Sequence, residues 1–183
     1  MSIRRTFGSA VVCPMMFVAI AFAQETPVRW SAKSPAEPVQ AGALFEAKLS
    51  ARIDGIWHMY SATQPPGGPM ATRFKVLSGA PVELSGKIRQ SAPQTAFDAN
   101  FGIDTEFFSG SAEFWIPLKA DASAKPGDYA VQIQASYQVC DNRICLPPQN
   151  ERIQLKIKIS ARSAAISEPA PAKKEAATRP LHR

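Results

Sequence analysis

The chain has 183 residues, of which 45% are hydrophobic and 20% are charged, and its formal net charge is +6. This length is enough for one domain with a buried core. The basic residues do not alternate with aromatic ones, so the charge indicates ordinary solubility and gives no reason to expect a nucleic-acid surface.

The first 23 residues have the layout of a secretory signal peptide. Two arginines precede an almost wholly apolar run at 10–22, and Ala21 and Ala23 are the small residues that a signal peptidase reads. The run is shorter than the roughly 20 residues of a membrane span. We therefore expect export to the periplasm, cleavage after Ala23 with loss of Cys13, and a mature chain that does not span the membrane. An uncleaved N-terminal anchor is the alternative.

Between residues 26 and 160 the apolar residues recur at every second position, which is the period of a β-strand with one wet face and one core face. The segments that show this alternation are 43–53, 114–118, 128–139 and 151–159. Turn sequences rich in glycine, proline and aspartate separate the strands. We predict a single all-β domain at 26–160, an antiparallel β-sandwich of the immunoglobulin-like type.

The segment at 161–183 differs in composition from the rest of the chain. It consists mainly of alanine, proline, lysine and serine, with hardly any large apolar residue. Such a segment cannot bury enough surface to offset the entropy lost on ordering. We predict a disordered tail.

Cys140 and Cys145 lie in a short connection between the last two predicted strands. Asp141 and Asn142 favour a turn there, and two prolines at 147–148 stiffen the exit. Antiparallel strand ends joined in this way bring two Cα atoms close enough for a disulfide. Two cysteines in an exported domain are most often a structural bridge. Closing so short a loop gains only roughly 2 kcal/mol, however, so the residues alone leave both a structural and an exchangeable disulfide open.

Three segments together resemble one protein family. Residues 137–148 read YQ-x-C-x4-C-x-PP, residues 54–60 read DGIWHMY, and residues 104–110 read DTEFFSG. These strings are similar to the cysteine loop, a strand and the cap loop of the N-terminal periplasmic domain of the DsbD family of thiol:disulfide interchange proteins. The resemblance covers about 28–159 and implies an immunoglobulin-like electron-relay domain.

The resemblance implies roles for the two cysteines and for partner proteins. The pair would cycle between dithiol and disulfide without a cofactor or metal, with Cys145 forming the mixed disulfide and Cys140 resolving it. A thioredoxin-like or membrane electron-donor protein would reduce the domain, and periplasmic oxidoreductases would receive the electrons. The 183 residues contain no membrane electron-transfer domain and no thioredoxin-like CxxC. We therefore expect a separate polypeptide as donor, with the direction of electron flow left open.

The resemblance also implies a lined and covered site. Phe107, with Phe108, would cover the cysteine pair when no partner is docked. His58 and Tyr60 would line the site from a neighbouring strand, and Glu106 would lie close by. Glu106 or His58 would move protons during exchange.

Two other functions fit the same residues. The first is a Cu(I) site, because Met59, His58, Cys140 and Cys145 are soft or borderline ligands, although they form no clustered Met/His motif. The second is a secreted immunoglobulin-like binding module with a permanent disulfide.

Overall fold

The structure is a computed structural model that describes residues 26–99 and 101–162. Within these residues it contains β-strands and no helix, so none of the described residues belongs to a helix that crosses a membrane. The predicted signal peptide at 1–23 and all but the first two residues of the predicted tail at 161–183 lie outside the described residues.

The strands, in chain order, are β1 (Val28–Lys33), β2 (Val39–Gln40), β3 (Leu44–Ile53), β4 (His58–Tyr60), β5 (Arg73–Val76), β6 (Val82–Leu84), β7 (Arg89–Gln90), β8 (Gln94–Asp98), β9 (Ile103–Ser109), β10 (Ser111–Ala120), β11 (Gly127–Tyr137), β12 (Val139–Cys140) and β13 (Gln149–Ser160).

Two sheets pack face to face and enclose the core. The first has the order β1-β3-β10-β6, with β7 also paired to β10, and the second has the order β2-β13-β11-β5. Trp30 of the first sheet meets Phe74 and Tyr137 of the second, with ring centroids 5.8 and 5.5 Å apart. The pairing is antiparallel apart from β2 with β13. The predicted all-β, immunoglobulin-like antiparallel sandwich is confirmed.

The four segments with alternating apolar residues form the long central strands β3, β10, β11 and β13. In β13 every second residue from Ile153 to Ile159 is buried, and each residue between them is exposed. Burying one such side chain contributes roughly 1.5–3 kcal/mol. A slip of one residue would turn this whole set to the solvent, so the alternation also sets the register of the strands.

A third, smaller sheet has the order β12-β4-β9-β8 and lies where β3 and β11 finish. The predicted cap loop at 104–110 belongs almost entirely to its strand β9, which pairs with β4 on one side and with β8 on the other. The expectation of a loop there is therefore wrong. Backbone pairing on both sides satisfies the donors and acceptors of this segment, which makes it an extended strand.

Candidate functional site

Cys140 and Cys145 form a disulfide with an S–S distance of 2.03 Å and a Cα–Cα distance of 4.0 Å. The two residues face each other as an isolated antiparallel bridge. The hydrogen bonds that flank this bridge are Leu146 N–H to the Val139 carbonyl and Asp141 N–H to the Ile144 carbonyl, both 2.9 Å. This is the pattern of a non-hydrogen-bonded pair, in which opposed Cα atoms approach most closely. The Cα atoms are therefore even closer than the usual range for a disulfide.

Asp141 holds the connection between the cysteines in a tight turn. Its Oδ1 accepts hydrogen bonds of 2.7 Å from the backbone N–H groups of Ile144 and Arg143. These two donors, with smaller contributions from the charges of Arg143 and His58, lower the pKa of the Asp141 carboxyl. The predicted turn at Asp141 is thus fixed by a side chain that bonds its own backbone.

The two cysteines differ in their exposure to solvent. Cys140 is 2% exposed, because it lies in β12 against β4. Cys145 is exposed, and it follows Ile144, whose exposed fraction is 57%. A thiolate from another protein can therefore approach the disulfide from the Cys145 side, while Cys140 is shielded.

His58 lies directly opposite Cys140 in the pairing of β4 with β12. Opposed residues project to the same face, so the imidazole shares the face of the buried cysteine. The Nε2 atom of His58 is 3.2 Å from the hydroxyl oxygen of Tyr60, which is fully buried. Burial lowers the pKa of His58 and outweighs the opposing effect of Asp98 and Asp141. Burial therefore favours the neutral form of the imidazole beside Cys140.

Tyr60 provides a spectroscopic test of this arrangement. Burial, assisted by the negative charge of Asp98, raises the pKa of Tyr60 to about 12. A raised pKa means that the stability from the neutral phenol is fully present below pH 10 and is lost as the pH rises through about 12. We expect the 295 nm absorbance difference between wild type and Tyr60→Phe to develop with a midpoint near pH 12. A midpoint near 10 would show that the hydroxyl is solvated.

The strand β9 places its two phenylalanines on opposite faces. Phe107 is half-buried, and its ring centroid is 5.0 Å from that of His58. Phe108 is 4% exposed and packs edge-on against Phe114 at 5.7 Å. The structure thus brings Phe107 to the histidine that faces Cys140, and it places Phe108 in the hydrophobic core.

Glu106 lies on the face of β9 opposite to Phe107. Its Oε2 accepts hydrogen bonds from the hydroxyls of Ser61 (2.8 Å) and Thr63, and its backbone N–H donates to Gln64 at 2.6 Å. These bonds attach the segment after β4 to β9. The carboxylate of Glu106 is therefore not on the face that carries Cys140, whereas His58 is.

An open groove of about 350 Å³ lies beside the disulfide connection. Its lining residues include His58, Phe107, Asp98, Asp141, Asn142, Ile56 and Phe97. Ile56 and Phe97 are 75% and 67% exposed, which is unusual for such large apolar side chains. Phe97 reaches the site only through the pairing of β8 with β9, which joins segments that no local pattern relates. Ile56 lies two residues before His58 in the 54–60 segment but was not among the predicted site residues. The signal in the sequence for Phe97 was a large apolar residue in the otherwise polar or small-residue segment Gln94–Asp98.

The glutamine of the cysteine motif, Gln138, has a structural role that its hydrogen bonds show. Its Oε1 accepts a 2.9 Å hydrogen bond from the backbone of Met70, and its Nε2 donates to the Leu146 carbonyl at 3.3 Å. The side chain therefore ties the exit of the cysteine connection to the loop before β5. This residue positions the backbone that follows Cys145.

The structure does not assemble the copper ligands considered above. Met59 is fully buried and pairs with Val139 and Phe108, on the face of β4 opposite to His58. Adjacent residues of a strand point to opposite faces, so Met59 and His58 cannot bind one ion together. Within the described ranges no group of three or more His, Cys, Asp or Glu residues is placed to hold a metal.

Comparison with known proteins identifies the family. The family model described as "Thiol:disulfide interchange protein DsbD, N-terminal" matches residues 29–157, well over half of the chain. The chain belongs to the DsbD N-terminal domain family. The DsbD N-terminal match includes both cysteines, His58 and Phe107. No curated protein matches the chain.

Several solved structures are similar to this DsbD-family domain at low identity. The reduced DsbD N-terminal domain of Neisseria meningitidis is 20% identical, with 64% of this chain and 82% of that chain covered and a TM-score of 0.45. The N-terminal periplasmic domain of ScsB from Proteus mirabilis is 15% identical, with 72% and 47% covered and a TM-score of 0.45. The bacterial hydrophobin BslA is 14% identical, with 76% and 98% covered and a TM-score of 0.39. The family assignment rests on the sequence match alone.

Proposed function

We propose that this domain is a periplasmic thiol–disulfide relay that passes reducing equivalents to other exported proteins. The observation that carries the proposal is the unequal cysteine pair, with a shielded Cys140 bonded to an exposed Cys145 in a chain of the DsbD N-terminal family. The signal-peptide layout at 1–23 supports the periplasmic location. The enzyme class that this implies is a thiol:disulfide oxidoreductase of the protein-disulfide reductase type.

The loading of the relay begins at Cys145. A donor thiolate attacks the Sγ atom of Cys145 in line with the disulfide, the S–S bond breaks, and Cys140 leaves as a thiolate that takes up a proton. A second donor thiol then attacks the donor sulfur of the mixed disulfide. Both domain cysteines are left reduced, and the donor leaves as a disulfide. Two electrons and two protons have been transferred.

The delivery of electrons reverses these steps. The Cys145 thiolate attacks the acceptor disulfide and releases one acceptor thiol. The Cys140 thiolate then attacks Cys145 in the mixed disulfide, which restores the domain disulfide and releases the second acceptor thiol. Exposure decides this order, because only Cys145 is open to another protein.

His58 is the residue that we propose assists Cys140. A neutral imidazole on the same face accepts a proton when the Cys140 thiol becomes a nucleophile and returns it when Cys140 leaves. The hydrogen bond with Tyr60 holds the ring in place. Phe107 packs against the ring and, as the proposed cap, limits the access of water and small oxidants to this face.

The exposed apolar residues around the groove fit transient partner docking. Ile56 and Phe97 line the groove beside the disulfide connection, and the exposed Ile144 directly precedes Cys145 in the chain. Such exposed residues are typical of protein interaction sites. The proposed partners are a thioredoxin-like or membrane electron donor and periplasmic oxidoreductases, each held by a transient mixed disulfide.

Trapping of a mixed disulfide tests the proposal. In a Cys140→Ser variant the resolving thiol is absent, so we expect covalent complexes with periplasmic CxxC proteins to accumulate at Cys145. Non-reducing gels of periplasmic extracts, followed by release with dithiothreitol, measure these complexes. The Cys140→Ser/Cys145→Ser double variant is the matched control and should capture nothing.

The competing assignment is a binding module with a permanent disulfide. It predicts no complexes releasable by dithiothreitol and a reduction potential below about −300 mV in equilibration with glutathione. The relay predicts a higher potential, because physiological dithiols have to open the bridge. A potential below that limit would contradict the proposed function even if the domain folds as described.

A further inference from the structure

The two outer faces of the sandwich carry their charges in different ways. Within residues 26–99 and 101–162, all ion pairs closer than 4.0 Å lie on the outer face of the sheet that contains β3. They are Arg29–Asp54, Arg52–Asp54, Lys48–Glu113 and Arg89–Glu46. The four bridged cations of this face share the three carboxylates of Asp54, Glu113 and Glu46, so much of its positive charge is neutralised within the face.

The outer face of the second sheet, here named the β13 face, has cations that form no ion pair with another described residue. Five exposed cations point outward from its strands: Arg73, Lys75, Arg152, Lys156 and Lys158. The outward acid on these strands is Asp128, which lies opposite Lys158. None of the five cations belongs to an ion pair in the part of the chain that the structure describes.

The β13 face is also broad and polar. Gln134 of β11 lies opposite Lys75 of β5 on one side and Arg152 of β13 on the other, so these three polar side chains form a row across three strands. Arg152 and Lys158 are six residues apart on β13, which corresponds to about 20 Å. The outward positions between the cations are mostly amides and hydroxyls: Gln132, Gln134, Ser136, Asn150 and Gln154. The face has no large apolar side chain at its centre.

Unpaired cations on a face with no apolar centre favour an anionic lipid surface over a protein as the partner. A stable protein interface has an apolar centre inside a polar rim, and the β13 face has none. An anionic lipid surface needs only cations near the headgroups, and each Lys or Arg there strengthens binding about fivefold. We propose that the β13 face adsorbs the domain onto the anionic headgroup surface of a phospholipid bilayer. Binding of this kind is electrostatic and weakens as salt screens the charges.

Adsorption through this face would leave the disulfide accessible. β11 ends at Tyr137 and β13 begins at Gln149, so the cysteine connection lies at one end of the adsorbed sheet and not beneath it. Cys145 would then face sideways along the membrane surface. This consequence for electron transfer rests on the proposed relay function, whereas adsorption itself does not.

Co-sedimentation with lipid vesicles tests the proposal on the mature chain, from residue 24 onward. We expect binding to vesicles that contain 30% phosphatidylglycerol in phosphatidylcholine, little binding to pure phosphatidylcholine, and release in 0.5 M NaCl. The double variant Lys75→Glu/Lys156→Glu should bind the anionic vesicles at least about 25-fold more weakly, since two cations are lost at about fivefold each. Lys87→Glu/Lys119→Glu removes the same net charge outside the β13 face and should retain most of the binding.

All variants share the same N and C termini, so any vesicle binding by the terminal segments is equal in each of them and cancels in the comparison. Equal weakening in both double variants would mean a general charge attraction and would overturn the proposal. Absence of binding to anionic vesicles at low salt would also overturn it and would leave an acidic protein as the occupant. If the chain does not bind anionic vesicles but still forms mixed disulfides normally, the membrane proposal fails and the proposed relay function stands.

Discussion

Replacement of Cys145 by serine is expected to reduce thiol–disulfide exchange to the background rate and to leave the fold intact. A serine hydroxyl cannot enter disulfide exchange, and Cys145 is the exposed member of the pair. The core lies between the two large sheets and does not include Cys145. We therefore expect the free energy of unfolding to fall by only about 2 kcal/mol, the value for closing so short a loop. Turnover with a thioredoxin-like reductant and urea unfolding measure the two quantities.

The Cys140→Ser variant is the control for this prediction. It removes the same disulfide, so its loss of stability should be similar, yet it retains Cys145 and should still form one mixed disulfide per chain. A loss of several kcal/mol in both variants, or unfolding at room temperature, would contradict the relay and support a structural bridge. Retention of exchange by Cys145→Ser would assign the attacking role to Cys140.

The two neighbouring phenylalanines are expected to respond in opposite ways to truncation. Phe107→Ala should leave the fold intact and speed alkylation of the reduced cysteines, because an apolar cover raises the thiol pKa and limits access. A change of one pKa unit corresponds to about a tenfold change in thiolate fraction. Phe108→Ala should lower the free energy of unfolding by roughly 3–5 kcal/mol, since that ring fills the core against Phe114.

Iodoacetamide labelling of the reduced protein and urea unfolding measure these effects in the same samples. Each variant is the control for the other, because both remove an aromatic ring from the same strand. An unchanged alkylation rate in Phe107→Ala would remove the cap from the proposed mechanism. A large stability loss in Phe107→Ala with none in Phe108→Ala would mean that the two faces of β9 are reversed.

The fold was predictable to the extent that it depends on local alternation. The apolar residues of β3, β10, β11 and β13 recur with period two over 10 to 12 residues, and this pattern has one structural solution, a strand with one buried face. The short edge strands β6, β7 and β8 have no such pattern. Their pairing with β10 and β9 depends on segments distant in the sequence, so it was not predictable from local residues.

The site was predictable in its cysteines and less so in its surroundings. The spacing of Cys140 and Cys145 and the turn at Asp141 are local, and the structure shows the two sulfurs bonded. Glu106 and Phe108 were expected beside the cysteines, but alternation along β9 turns both away from Phe107. The roles of Glu106 and Phe108 came from the family resemblance, whereas the alternation of side chains along a strand puts neighbouring residues on opposite faces.

The sequence by itself determined the strand period, the cysteine connection and the family, since these are properties of contiguous residues. Only the tertiary structure decided which residues meet. It placed His58 opposite Cys140, brought Phe97 of β8 to the groove, and separated the ion-paired outer face of one sheet from the basic face of the other. Strand pairing joins residues far apart in the chain, and no local pattern encodes that choice of partner.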